Sequence, residues 1–477
     1  MAITPRTVFQ AAPIQTATSA NYLDIQDNGW AQQYLPDLME KEAEVYGKRT
    51  VSGFLAQVGA EEAMQSDQVI WSEQGRLHLS YNCASLDASA STLTIGTDID
   101  GQGGGTAHGI RIGDQVLIAG HGQTITARVS NVSGATVTVQ PYGFEHMDDA
   151  GWAVDDSEDT NTIMVFGSEY AKGTSYLGVT ANKPSFTTFT NKPIILKDMY
   201  EVSGSDVSQI GWVEVSGEDG QNGYLWYLKA EGETRSRFTD YLEMSMIESE
   251  LVHNDSAIAL PTDGGTGTAG TQGLFSAVKT RGHQSSGITG VNAATDLAEF
   301  DAILAEFDKN GAIEENMMFV NRATALAVDD MLASMNSYGA GGTSYGVFDN
   351  DEDMALNLGF SGFRRGSYDF YKSDWKYLND LATRGGINAA ATGGEDIRGI
   401  MIPAGTSSVY DQALGKNMKR PFLHVRYRAS ATESRKFKTW ITGSVGAVTS
   451  DLDAMTVNFL SERCLITQGA NNFMLLN

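Results

Sequence analysis

Apolar and polar residues alternate along two stretches in the first third of the chain. Residues 124–129 read TITARV and residues 135–139 read ATVTV. Alternation with a period of two is typical of strands that bury one face. The pattern predicts a small all-β module over about 91–140, and strand character is also strong in residues 68–81, QVIWSEQGRLHLSY.

The second half of the chain mixes helical and strand patterns. Residues 297–307 carry apolar positions at helical spacing, with Asp296 and Glu299 fitting an acidic capping box before them and Gly311 as a stop. A strand over 317–321 and a helix over about 322–335 follow. Further strands are predicted over 359–374, 397–403, 421–430 and 436–450, with mixed strand and turn over 456–469.

The strongest helical pattern covers residues 221–252, with Leu225, Leu242 and Met246 near one face. Unbroken, such a helix is about 48 Å long at ~1.5 Å per residue. Residues 163–198 instead predict a long extended segment. The first 50 residues predict a polar arm with one or two short helices, and glycine-rich loops are predicted over 261–273 and 336–346.

The amino-acid composition is typical of a folded protein and is strongly acidic. Its 477 residues are 41% hydrophobic, and 59 acidic against 33 basic residues give a net charge of −26. Such a charge repels naked nucleic acid at long range. The two cysteines, Cys83 and Cys464, predict inert thiols rather than a disulfide scaffold or a metal site. The chain has neither a run of 18 apolar residues nor a signal-peptide pattern at its start, so we expect no membrane span and synthesis in a reducing cytosol.

A glycine-dense stretch over 94–114, TIGTDIDGQGGGTAHGIRIGD, raises the possibility of a phosphate loop. A phosphate loop needs a helix after it, whereas strand patterns follow here and the Gly-Lys-Ser/Thr ending is absent. We therefore expect a mobile connection inside the β module. The acidic run 155–160 lacks the spacing of a calcium loop, which favours a solvated turn.

No constellation in the sequence predicts catalysis. The seven histidines show no i, i+4 pair, and no Gly-x-Ser-x-Gly elbow occurs. Adjacent acidic pairs are common on surfaces and do not by themselves indicate acid/base chemistry. We expect neither an enzyme nor a bound cofactor or metal.

Basic residues concentrate near the end of the chain. Residues 416–438 hold eight of the 33 basic residues and only one acidic residue, Glu433. On a strand, His424, Arg426 and Arg428 share one face. This segment, called the basic segment below, either binds nucleic acid or meets an acidic surface in this chain or in a neighbouring copy; we favour the acidic surface.

The order of these parts resembles that of the major capsid proteins of tailed bacteriophages, which have the Hong Kong 97-like fold. The resemblance covers nearly the whole chain and is of moderate specificity, because it depends on phrases in sequence order. These phrases are QVIWSEQGRLHLS (68–80), IRIGDQVLIAG (110–120), ATVTVQPYG (135–143), TQGLFSAVKTRG (271–282) and LGFSGFRRGSYDF (358–370).

The resemblance implies an α+β fold with an N-terminal arm, an extended E-loop, a long spine helix, and peripheral and axial domains. A small β-barrel-like module is inserted in the E-loop region. The implied divisions are an arm over 1–60; the E-loop region over 61–215 with the module at about 91–140; the spine helix (about 220–253) and the start of the peripheral domain over 216–290; the axial domain over 291–415; and returning strands over 416–477.

The resemblance also implies a function. The subunit would form pentamers and hexamers of an icosahedral virion, enclosing double-stranded DNA without sequence-specific binding, after synthesis in the host bacterial cytoplasm. A portal, and decoration or scaffolding proteins, would be its partners, with no membrane contact. Some relatives form a crosslink between Lys and Asn. No sequence signature indicates this reaction at Lys172, Lys183 or Lys192, so we predict no crosslink. An encapsulin-type protein shell and a secreted β-rich carbohydrate-binding or adhesin protein stay open as alternatives.

Under this hypothesis the important residues make contacts between subunits and are not catalytic. The candidates lie in the E-loop region, the spine helix and the basic segment. They are Trp71, Arg76, Tyr81, Tyr170, Lys172, Tyr176, Phe186, Phe189, Arg235, Arg426 and Arg428.

Overall fold

The protein divides into two compact units. One, called the body, takes in the chain up to Ile70 and from Thr190 onward, and the other, the barrel unit, is Trp71–Phe189. The computed structural model describes residues 53–55, 60–99, 101, 104–120, 122–152, 155–156, 161–175, 181–182, 186–209, 215–216, 222–223, 225–252, 270–311, 313–336, 361–390, 396–404, 406–411, 416–445 and 448–477. The helical pattern at 30–48 and most of the loops predicted at 261–273 and 336–346 lie outside these ranges.

Strands outnumber helices in the described ranges. In chain order, the strands are β1 (Ala60–Met64), β2 (Val69–Gln74), β3 (Ser80–Asp87), β4 (Thr92–Asp98), β5 (Asp114–Gly120), β6 (Gln123–Ser133), β7 (Thr136–Pro141), β8 (Asp155–Asp156), β9 (Asn161–Ser168), β10 (Phe186–Asn191), β11 (Ile194–Ser203), β12 (Val215–Ser216), β13 (Asn222–Gly223), β14 (His283–Ser285), β15 (Glu315–Val320), β16 (Ser361–Arg365), β17 (Tyr368–Asp374), β18 (Gly399–Pro403), β19 (Thr406–Asp411), β20 (Lys416–Pro421), β21 (Leu423–Arg428), β22 (Lys438–Gly443), β23 (Ala454–Thr467) and β24 (Met474–Leu476). The helices are α1 (Gly204–Gln209), α2 (Leu225–Glu248), α3 (Leu274–Arg281), α4 (Ala293–Asn310), α5 (Arg322–Asn336), α6 (Lys376–Asn379) and α7 (Arg384–Ala390).

The barrel unit contains a closed six-stranded barrel. Its strands follow the order β4-β7-β6-β5-β9-β3, and β3 pairs back with β4. Alternate residues such as Val116, Ile118 and Val137 are fully buried inside it. The predicted alternation is therefore confirmed, but the module is larger than predicted, because β3 and β9 extend it from about 91–140 to 80–168.

The glycine-dense stretch belongs to this barrel. It contains a single turn of 3-10 helix, Gly105–Ala107, and strand β5 follows, so the helix that a phosphate loop needs is absent from this part of the described chain. Residues 108 and 109 of this stretch are hydrogen bonded to the barrel. Gly109 N–H donates to the Tyr81 hydroxyl (2.8 Å), and His108 Nε2 lies 3.0 Å from the Gly134 carbonyl oxygen.

The body is built on two sheets. Sheet one has the order β1-β21-β23-β11, with β22 also paired to β23, and sheet two has the order β14-β24-β18-β15-β17-β16. β23 is the longest strand of sheet one. It pairs with β11 on one side, over the whole of β11, and with β22 and then β21 on the other.

Helices cover both sheets. Phe238 and Leu242 of α2 pack on Val457 and Phe459 of β23, while α4 and α5 form a second core with sheet two. The predicted long helix is confirmed but is shorter, Leu225–Glu248 instead of 221–252. It continues through Gly232 without interruption.

The start of α4 corrects a sequence prediction. Its N-cap is Asn292, whose side chain accepts from Ala294 N–H (3.0 Å), and not Asp296. The acidic residues assigned to the capping box bind the preceding segment instead: Asp296 accepts from Gly290 N–H (3.1 Å) and Glu299 from Ile288 N–H (2.7 Å). Gly311 ends the helix in the left-handed conformation, as predicted.

Gly104 offers a test of how tightly the glycine-dense stretch is packed. Its backbone (φ 83°, ψ −148°) is open essentially only to glycine, and an added Cβ would lie 2.5 Å from the Gly96 carbonyl oxygen. We expect Gly104→Ala to lower the opening free energy of the barrel by about 3 kcal/mol, which accelerates amide exchange about 100-fold. Hydrogen exchange of peptides from β4 and β7 measures this.

The matched control is Gly101→Ala. Gly101 also has a positive φ, 77°, but nothing lies within 4 Å of an added Cβ. Its cost is expected to be about 1 kcal/mol, from the backbone alone. Equal effects of the two substitutions would contradict the close packing of Gly104.

Candidate assembly surfaces

Two of the predicted contact residues lie together where the chain enters and leaves the barrel unit. β2 and β10 form a two-stranded ribbon. The Trp71 ring in β2 is buried, lies 6.1 Å from the Phe189 ring, and its indole N–H donates to Glu73 (2.9 Å). These two side chains therefore stabilise the ribbon itself. Phe186 also lies in β10, and its side chain is outside the described part of the structure.

Other candidates of the E-loop region fall into two groups. Tyr81 is buried in the barrel core, and the Tyr170 hydroxyl donates to the Ile112 carbonyl (3.4 Å) beside Gly113. Arg76 and Lys172 are exposed. Tyr176 lies outside the described residues. The structure thus leaves Arg76 and Lys172 exposed, whereas Tyr81 is buried and Tyr170 is half-buried.

The outer wall of the barrel carries a small apolar patch that the sequence reasoning missed. Met164 and Phe166 on β9 are 38% and 52% exposed, and Leu117 of β5 lies directly opposite Met164. Tyr142 and Glu169 hydrogen bond nearby, and Gln115 donates to the Tyr142 hydroxyl (3.0 Å). The bond to Glu169 raises the pKa of Tyr142, because the carboxylate disfavours a second negative charge.

The basic segment meets acidic residues of the same chain. Arg426 on β21 pairs with Glu62 of β1 (3.1 Å). Arg428 pairs with Asp67 and with Glu462 of β23 (3.4 Å to Glu462). The structure thereby supplies within one copy the acidic complement that the sequence predicted. His424, predicted on the same face, is 1% exposed.

Glu462 is the centre of this ionic cluster. Its carboxylate accepts from Arg428 and also forms an ion pair with Arg435, 2.9 Å from Nε, and the residue is only 6% exposed. By contrast, the Lys438–Glu433 pair (2.5 Å) lies on the surface. Removing one partner of a largely buried pair leaves the other charge uncompensated, whereas the net effect of an exposed pair is close to zero.

Arg235 lies on the exposed side of α2. Its guanidinium is 5.5 Å from the centroid of the Phe437 ring. Phe437 in turn packs edge-on against Phe238 of the same helix (5.4 Å). Arg235 therefore helps to hold the segment before β22 on the helix.

A clamp on residues 53–55 was not predicted. The Glu243 carboxylate on α2 accepts from Gly53 N–H (2.6 Å) and Leu55 N–H (3.0 Å). Between them, the Phe54 ring stacks on Trp375 with centroids 4.4 Å apart. Burial raises the pKa of Glu243, and the backbone donors oppose this effect. An acidic residue between Leu242 and Met246, on the apolar stripe, was the available signal.

Asn191 forms a second unpredicted junction. Its Oδ1 accepts from Gln272 N–H (2.8 Å) and from the Thr271 hydroxyl (3.0 Å), and its Nδ2 donates to the Leu465 carbonyl (2.5 Å). The side chain is 2% exposed. It ties the end of β10 to β23 and to the turn before α3, and nothing in its sequence context indicated this.

The thiols behave as the sequence predicted. Cys83 and Cys464 are free and fully buried, and burial raises the pKa of each to about 12. Both are therefore unreactive near neutral pH. Across the described residues, no group of three or more His, Cys, Asp or Glu side chains is arranged to hold a metal ion, and no helix is long and apolar enough to cross a membrane.

Solved structures similar to this chain come from bacteriophages. "Capsid structure of the Cyanophage P-SCSP1u" is 9% identical, covers 96% of this chain and 98% of its own, and has a TM-score of 0.41. "Mycobacterium phage Ogopogo" is 10% identical over 94% and 98%, with a TM-score of 0.40. "Asymmetric unit of bacteriophage PhiM1 mature capsid" is 9% identical over 93% and 92%, with a TM-score of 0.39. No protein-family model and no curated protein matches the sequence.

Glu462 in the ionic cluster and Glu433 at the surface give a matched test. We expect Glu462→Gln to lower the free energy of unfolding by about 2 kcal/mol, because it leaves the guanidinium groups of Arg428 and Arg435 without their charged partner at a buried position. Glu433→Gln removes the same charge at the surface and is expected to change stability little. Equilibrium urea unfolding of both variants, followed by tryptophan fluorescence, compares them. Equal decreases in the free energy of unfolding would show that the burial of Glu462 does not determine its contribution to stability.

Proposed function

We propose that the protein is a major capsid protein that self-assembles into the icosahedral head of a tailed bacteriophage and encloses its double-stranded DNA. The observation that carries the proposal is the order of elements in the body. The chain leaves it once, after Ile70, and returns at Thr190. The long strand β11 and the long helix α2 then follow in turn. This is the order of E-loop, spine helix and later α/β and strand regions that the sequence resemblance requires.

Exposed apolar side chains on extended elements support an assembly role. The barrel presents Met164 and Phe166, and sheet one presents Ile195 and Met199 on β11. A monomer gains nothing from such positions, whereas a neighbouring copy that covers them removes apolar surface from water. Arg76 and Lys172, both exposed in the expected E-loop region, remain proposed subunit contacts.

The distribution of charge supports the enclosure of DNA without specific binding. The net charge is −26, and the residues of the basic segment with described ion pairs use them on acidic residues of the same chain. The described arginines of that segment are therefore offset by carboxylates before any phosphate group approaches. A shell wall of this kind does not adhere to the packed genome, and its role is structural and not catalytic.

The proposed partners follow from this role. Copies of the chain form pentamers and hexamers, with a portal at one vertex and with decoration or scaffolding proteins on the shell. The protein is made in the host cytoplasm and ends in the virion.

Electron microscopy of the purified protein at two ionic strengths tests the proposal. Copies that each carry −26 repel one another, and the Debye length falls from about 30 Å at ~0.01 M salt to about 6 Å at ~0.3 M. We expect dispersed subunits at the lower salt, and closed shells or rings of five and six at the higher salt.

Monomers at every concentration and salt, with scaffold and portal also supplied, would contradict the proposal. Glycan-array binding by those monomers would then favour the carbohydrate-binding alternative. Shells that form readily but enclose a protein cargo and exclude DNA, even with the portal present, would favour the encapsulin alternative.

A further inference from the structure

Strand β11 is an edge of sheet one. It pairs antiparallel with β23 from Ile194 to Ser203, and within the described ranges no strand lies on its other side. Met199 N–H donates to the carboxylate of the preceding Asp198 (2.9 Å), a local bond of the kind that satisfies a donor without a neighbouring strand. Ten residues of strand with an open edge form a template for another strand.

The two faces of β11 differ. Leu196 and Asp198 point to the side covered by α2, where Asp198 pairs with Arg237 (3.1 Å). On the opposite face the exposed residues alternate regularly with these. They are Ile195 (53% exposed), Lys197, Met199 (61% exposed), Glu201 and Ser203. An exposed face beside an open edge is available to a second chain.

The pattern on this face is self-complementary. Lys197 and Glu201 lie on either side of Met199, two residues away in each direction. They are about 14 Å apart along the strand at ~3.4 Å per residue, too far to pair with each other. In an antiparallel pair of identical strands centred on Met199, each Lys197 lies opposite the partner's Glu201.

We propose that β11 pairs antiparallel with β11 of a second copy, about a two-fold axis at Met199. The pair would contain two Lys–Glu contacts and one Met–Met contact on the exposed face, and it would join two five-stranded sheets into one continuous sheet. The inference rests on the proposed self-assembly and names one of its contacts.

Neighbouring registers are disfavoured by charge. An axis at Lys197 places that residue opposite the partner's Lys197, and an axis at Glu201 does the same for the two glutamates. An axis at Asp198 places two aspartates opposite each other on the side of α2. Like charges directly opposite destabilise a strand pair, which disfavours these three registers. An axis at Tyr200 has no such clash but places Lys197 opposite the partner's Ser203, so only the register at Met199 forms the two Lys–Glu contacts.

Cysteine crosslinking of the full-length chain tests the register. In the proposed pair, the Cβ atoms at position 199 of the two copies are about 5 Å apart, close to what a disulfide needs. We expect Met199→Cys to give a disulfide-linked dimer as the main species on a non-reducing gel after mild oxidation in assembly buffer. The native thiols are buried, and the wild-type protein gives the background.

The matched control is Ile195→Cys, which lies on the same face with similar exposure. Its two copies would be about 27 Å apart, eight residues at ~3.4 Å each, and no dimer is expected. Mixing Ile195→Cys with Ser203→Cys should restore a crosslink, because these positions lie opposite each other.

Charge reversal gives an independent readout. Lys197→Glu should reduce the crosslinking of Met199→Cys at least tenfold in the same assembly buffer, and adding Glu201→Lys should restore it, because the double change exchanges the two signs. No crosslink at position 199, or equal crosslinking at 195 and 199, overturns the proposal whether or not shells form. Shells without the crosslink would overturn the β11 pairing and leave the capsid function standing. Crosslinked dimers that never form shells would support the β11 pairing and contradict the capsid function.

Discussion

The long strand β23 is the constraint on which the body depends. Within sheet one its backbone pairs with β11 on one side and with β22 and β21 on the other, so one segment sets the register of three strands. Its Val457 and Phe459 also form the surface on which α2 packs. Since a slip by one residue would turn every side chain to the opposite face, the packing of α2 and the position of Glu462 are set together.

Electrostatics in this protein are resolved largely within the chain. A segment rich in arginine and lysine lies in a protein of charge −26, and its Arg426, Arg428 and Arg435 pair with Glu62, Asp67 and Glu462. Among the described residues of that segment, the arginines are therefore held by carboxylates of the same chain.

The sequence predicted the elements better than their boundaries. Period-two alternation identified the barrel because its inward residues are apolar, but β3 was missed as a barrel strand, and its pairing with β4 is irregular around Cys83. At α4, Asp296 and Glu299 matched a local capping pattern, yet their carboxylates accept from Gly290 and Ile288. Such tertiary hydrogen bonds leave no local pattern, which is also why Asn191 escaped notice.

Candidate contact residues were harder to predict than the fold. Aromatic and arginine side chains suit interfaces between subunits, and they suit internal packing equally well. Tyr81 lies inside the barrel, and Arg426 within the ionic cluster. A contact between subunits requires an exposed side chain or an open strand edge. Neither can be identified from the sequence, because both depend on which strands pair.

The pairing of β1 with β21 has a consequence for folding during synthesis. Glu62 and Arg426, joined across these strands, are 364 residues apart in the chain. The barrel strands are contiguous in sequence and can close before the ribosome reaches the body's later strands, whereas sheet one waits for β21 and β23. Until β23 is made, β11 lacks the strand that it pairs with in sheet one. The order of synthesis therefore lets the barrel close first, and the β11 edge takes its shape only when the last strands of the body are present.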